Sequence, residues 1–337
     1  METLFIGYSD ALVRTTINGT VEHERVLEGV PVPMVAVDPG QPERVYAATL
    51  GHGLMRSDDG GHSFERIPSV THDLVWAVAV SACDQNGRYG TVYAGTQMSA
   101  LYRSTDGGAT FEELESVQNL PSKPTWSFPP APDTHHVHQI TLSSDDPTDV
   151  VFGIELGGVF HSSDRGETWE LTTADPDPHT LRTHPSAQGR MYEGGGAAYH
   201  ASRDGGATWI RNIDGIPDEV RYFYSLAVDS GNPENVLISG ARDPFSGHAV
   251  IPGMPVWSAV YRLVDGWWQQ LSAGLPPEDG TAMGTLAAGA PGVFYYLTEP
   301  GEIYRSDDGG SSFALLNEGP DPLRGQKARS ILVVTTD

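Results

Sequence analysis

His136 and His138 stand one residue apart, His179 follows further along the chain, and Glu155 and Glu193 lie within apolar, strand-like segments near them. Neutral imidazoles that converge with a carboxylate are the donor set for Zn, Mn, Fe or Cu, because two or three nitrogen donors and one anionic oxygen satisfy the ion and offset its charge. A partly filled shell leaves room for water or substrate, and so for Lewis-acid catalysis or an activated hydroxide. The sequence contains no His-Glu-x-x-His segment that would place such donors on a single helix. Any metal chemistry therefore depends on elements that gather residues from distant parts of the chain.

Those elements are announced by a repeat. Ser57 to Phe64 reads Ser-Asp-Asp-Gly-Gly-His-Ser-Phe, and variants of it recur at Ser104 to Phe111, Ser162 to Trp169, Ser202 to Trp209 and Ser306 to Phe313. All five fit Ser-x-Asp-x-Gly-x-(Ser/Thr)-aromatic. Asp and Gly suit a tight turn, the hydroxyls can bond its backbone, and the aromatic packs beneath it as the next strand begins. The pattern resembles the Asp-box, or bacterial neuraminidase repeat, of β-propellers such as sialidases and xyloglucanases. That resemblance implies that each box joins the third and fourth strands of a blade, on the rim away from the usual ligand face, so its Asp is structural.

Short apolar runs precede each box, as in Val45 to Thr49 and Gly53 to Arg56. Innermost strands are expected near residues 34–38, 75–81, 138–143, 179–184, 223–229 and 283–288. A seventh, Arg329 to Thr335, has no blade after it, while Leu4 to Tyr8 and Leu12 to Thr15 read as second and third strands lacking a first. The expectation is an all-β, seven-bladed propeller spanning 1–337 as one domain, its ring closed by the C-terminal strand joining the N-terminal blade. The N-terminal and sixth units lack the box, and insertions occupy Ser116 to Thr134, Ala241 to Trp257 and Pro276 to Thr281.

In such a ring, the loops entering each innermost strand open on one face around a central channel. Aligning the units on Val35, Val78, Ile140, Leu181, Leu226, Leu286 and Leu332 puts Pro33, Trp76, His138, His179, Tyr224, Gly284 and Ser330 in equivalent places. His136 falls on the same side as His138, His72 in the loop entering the third blade, His52 in the second blade's loop, and Glu155 and Glu193 in the blades of His138 and His179. The metal candidates are therefore His138, His179, His136, His72, His52, Glu155 and Glu193. Trp126 and Phe128 belong to a Pro-rich insertion on that face, where they suit either a lid or local packing; Tyr224, Arg242 and Arg329 are further candidates for substrate contact.

The reading is a His-rich funnel that binds a divalent metal and a small polar molecule, with hydrolytic, lyase-like or oxidative chemistry. Two alternatives stand beside it: a propeller that binds a ligand or a protein without metal, and a sialidase-like glycosidase using Arg221, Arg242 and Arg329 with Tyr222 or Tyr224. A xyloglucanase resemblance lacks the second ring that those enzymes pair across their cleft. Photosystem-assembly propellers share the blade number but rely on a basic island that this chain does not offer.

Composition narrows the partners. Acids outnumber bases 44 to 20 for a formal charge of −24, which argues against a polyanionic nucleic-acid partner. Cys83 is the sole cysteine, so no internal disulfide can form and a reducing compartment is compatible. With no leader pattern at the N-terminus and no apolar run long enough to span a bilayer, the chain reads as cytoplasmic and free of membrane.

Overall fold

The computed structural model describes residues 1–172, 174–248, 253–319 and 327–335. Its strands form seven four-stranded antiparallel sheets arranged as the blades of a β-propeller. Among the described residues no helix is long and apolar enough to cross a membrane. Residues 249–252 of the Ala241 to Trp257 insertion lie outside the described residues.

Blades two to seven each run outward from an innermost strand: Met34–Asp38, Val75–Asn86, Val137–Leu142, Pro178–Thr183, Tyr222–Val228 and Thr285–Ala288. The first blade is composite. Ala328–Thr335 pairs antiparallel with Glu2–Tyr8, matching Leu4 with Val333 and Ile6 with Ile331, and Ala11–Ile17 and Val21–Glu28 complete the sheet. Apolar side chains from facing sheets fill the gaps between blades. Tyr93, Val137, Phe152 and Phe160, for instance, share one buried cluster between blades three and four. Gly95 belongs to that contact, because a Cβ there would come within 2.4 Å of Val137.

The five repeated octapeptides form one turn, built the same way each time. At the fourth blade, Gly166 N donates to Ser162 Oγ at 2.8 Å, Ser162 Oγ donates to Asp164, and Thr168 gives Asp164 both its backbone N–H at 2.9 Å and its hydroxyl at 2.6 Å. The two units without the pattern use shorter hairpins. In the sixth blade Val264 pairs with Trp267 across Asp265 and Gly266, whose φ values of 50° and 80° suit a type I′ turn.

These turns make the protein sensitive to acid. Hydrogen bonds, the Ser312 hydroxyl first among them, hold the Asp308 carboxyl down at about 2. At Asp106, Asp164 and Asp204 burial pulls upward, but bonds from the following Thr outweigh it and the pKa again falls below the usual carboxylate value. A folded-state pKa below the unfolded value gives stability that is present above roughly pH 4 and lost as pH falls toward 2. Asp164→Ala is expected to cost about 1–2 kcal/mol at neutral pH and to lower Tm by about 2–4 °C per kcal/mol. Thermal melts at pH 7 and pH 3 check this: the gap between parent and variant should narrow at the lower pH.

Candidate metal centre

An antiparallel strand that carries one extra residue must bulge, and a bulge re-aims a side chain. Four innermost strands bulge at the same point. The partner ladder skips Trp76 in blade three, His138 in blade four, His179 in blade five and Tyr224 in blade six. In the closing strand the skipped residue is Arg329, since Gly7 pairs with Ser330 and Tyr8 with Ala328. All five line the central channel, a cavity of about 490 Å³ bounded by the innermost strands of all seven blades. This corrects the alignment of the closing strand by one residue: Arg329, not Ser330, is the counterpart of His138 and His179.

Around His138 the side chains come close enough to share an ion. His136 Nε2 lies 3.1 Å from His138 Nδ1, and these atoms stand 3.8 and 3.7 Å from Glu155 Oε2. A circle through the three atoms has a radius of about 2.1 Å, the distance at which zinc takes imidazole nitrogen and carboxylate oxygen. Ring stacking holds His136 in place: it lies against Trp76 with ring centroids 4.0 Å apart and meets the edge of Phe128 at 4.9 Å, while its Nδ1 has no hydrogen-bond partner.

His179 occupies the neighbouring position, its ring centroid 5.9 Å from that of His138. Its Nδ1 donates to Phe223 O at 2.6 Å. A carbonyl only accepts, so Nδ1 carries a proton, and Nε2 points toward Asp177 Oδ2 at 3.6 Å. Tyr222 packs edge-on against His179 and shares a 3.1 Å hydrogen bond with His248 Nε2.

Burial sets the protonation of this cluster. It drives the pKa of His136 and of His248 down to about 3 and that of His138 well below its ordinary value, leaving imidazoles that are neutral and able to ligate. The Glu155 carboxyl is pushed up to about 8, first by burial and then by the charge of Asp177. Buried polar atoms without partners include His136 Nδ1 and Asp177 Oδ1 in this cluster and Gln139 Oε1 and Arg329 Nε of residues lining the channel. Unpaired polar atoms are scarce in folded proteins, and a concentration of them marks a site that takes up water, an ion or a ligand.

The structure thus brings together His136, His138, Glu155 and His179, with Tyr224 and Arg329 on the channel wall. Other candidates fall elsewhere. Glu193 is fully buried within blade five and shares a 2.7 Å hydrogen bond with its cross-strand partner His200. His72 bonds the Tyr102 hydroxyl at 2.9 Å, and His52 is exposed; neither joins a cluster of ligand atoms among the described residues. Trp126 is 5% exposed, packs on Phe160 and lies in the core between blades, away from the channel wall. Of the insertion's two aromatics, Phe128 is the one that meets His136, while Trp126 packs edge-on against His135. Arg242 is exposed with its guanidinium over the Trp257 ring, and Arg221 is exposed and bonded to the Asp218 carbonyl. Asp177 and His248 are the additions. Both sit in connecting segments, and a scan for acids and histidines in loops on the funnel face would have gathered them.

No protein family matches the sequence, and no curated protein matches it. Solved structures do resemble its fold. The GH74 xyloglucanase from Xanthomonas campestris superposes with a TM-score of 0.62 at 20% identity, over 85% of this chain and 45% of that one. The Niastella koreensis GH74 enzyme gives 0.64 at 14% identity, over 92% of this chain and 51% of that one. The chain therefore spans about half the length of these enzymes. A structure of YCF48 bound to D1 peptide gives 0.59 at 14% identity, over 91% of this chain and 95% of that one. At such identities the likeness is one of fold: the chain is a seven-bladed propeller with neighbours among GH74 enzymes and YCF48 proteins.

Proposed function

We propose that the protein binds a divalent metal ion of the zinc class at the mouth of its central channel, through His136 Nε2, His138 Nδ1 and Glu155 Oε2. The observation that carries this reading is the 2.1 Å circle on which those three atoms lie. Three protein ligands leave coordination positions for a small polar molecule entering the channel, and the ion would supply Lewis acidity or an activated water there. Arg329, Tyr224 and Trp76, aimed inward by the same bulges, form the wall such a molecule meets. Arg329 suits a carboxylate or phosphate on it.

Elemental analysis of protein purified without chelators tests the reading. At least one zinc or manganese per chain is expected, with zinc affinity falling by about 100-fold or more in His138→Ala, beyond what loss of even an outer-shell partner costs. Absence of bound metal, together with equal zinc affinity in parent and variant, would overturn it and favour a funnel that binds its ligand without metal.

A further inference from the structure

We infer that the mouth of the channel holds two ions, with Glu155 as the carboxylate they share. The inference rests on the metal-binding reading above and extends it to a second set of residues. Glu155 belongs to two groups of potential ligand atoms, one with His136 and His138 and one with Asp177 and His179, and within each group the atoms lie within 4.8 Å of one another.

The second group has a defect that a cation would repair. The Phe223 carbonyl takes the hydrogen bond from His179 Nδ1, which leaves Nε2 facing a carboxylate oxygen of Asp177 at 3.6 Å, too far for a hydrogen bond. An ion about 2.1 Å from both atoms would subtend an angle of about 120°, close to that of a tetrahedral or trigonal shell. The other oxygen of Asp177 is buried and has no partner. The loop that presents Asp177 is anchored, because Asp175 accepts from Asp177 N and from Ala197 N, both at 2.9 Å.

Charge points the same way. Glu155 and Asp177 belong to one group of ligand atoms, and among the described residues their ion-pair partners are histidines alone, with no Lys or Arg. Buried carboxylates without a cation are costly. A pair of divalent ions sharing Glu155 supplies the missing charge and forms a two-metal clamp. Such a clamp takes a substrate oxyanion or water across both ions, the arrangement that suits hydrolysis of a small phosphate or carboxylate ester.

Zinc stoichiometry of the full chain decides the matter, with manganese-loaded protein examined by electron paramagnetic resonance as a second readout. Two zinc ions per chain are expected, and the manganese-loaded parent should show the exchange-coupled spectrum of a metal pair. Asp177→Asn should retain one ion and lose the coupled signal; His136→Ala should retain one, held by Glu155, Asp177 and His179. A single ion in the parent, an uncoupled manganese signal and an unchanged count in Asp177→Asn would overturn the pair while leaving the one-ion reading intact. No ion in the parent would overturn both. The coupled signal of the parent needs no variant to fold.

Discussion

Glu155→Gln is expected to lower zinc affinity at the proposed site by about 100-fold or more, while the metal-free protein stays at least as stable as its parent. The two halves of this result have one cause. Glu155 is 15% exposed, lies near Asp177, and its carboxyl is pushed up to about 8 by burial and by that neighbouring charge. Without metal the folded protein therefore gains nothing from the negative charge, and the neutral amide of the same shape fits as well. A metal ion needs the anion, and an amide oxygen is a poor replacement for it. Zinc titration by calorimetry and thermal melts in chelator measure the two halves. Unchanged zinc affinity would remove Glu155 from the site, whereas a large fall in the metal-free Tm would show that the carboxylate serves the fold.

The second large effect concerns ring closure. A chain ending at Lys327 is expected to lose cooperative unfolding and to expose hydrophobic surface. The missing strand pairs with Glu2–Tyr8 at seven positions and buries Ala328 and Ile331. Each paired backbone bond contributes about 0.5–1.5 kcal/mol, and a buried Ile about 1.5–3 kcal/mol. Together these rival the whole stability of a typical domain, about 5–15 kcal/mol. Circular dichroism melts and dye binding compare the truncated and full chains, and a synthetic peptide of residues 328–335 added in trans should restore the transition. A truncated chain that melts as sharply and as high as the parent would show that the ring closes without this strand.

The spacing of Ser, Asp, Gly and aromatic residues carries the architecture because the Ser and Asp side chains within each such turn hold its backbone in the same way, whichever blade it joins. The same local logic identifies His138 and His179 as equivalents, since both stand two residues before a core side chain, Ile140 and Leu181. It fails at Arg329. There the bulge falls one residue away from the place that a count back from Leu332 assigns, and a bulge leaves no mark in the sequence. Glu193 misleads for a related reason: it shares a blade with His179, but blade depth rather than strand identity decides what a side chain meets, and here it meets His200. Asp177 and His248 lie in connecting segments that no repeat constrains, so their convergence on the histidines depends on the ring having closed.

Pairing of the first blade across nearly the full length of the chain also sets an order of events during biosynthesis. At about 5–20 residues per second, the roughly 300 residues between Glu28 and Ala328 take about 15–60 s to emerge. Throughout that time the edge of Glu2–Tyr8, with Leu4 and Ile6 in it, waits on the ribosome for its neighbour, and such an open edge invites strands from other chains. Nascent-chain shielding, by a chaperone or by the growing acidic surface itself, is thus a demand that the topology places on the cell.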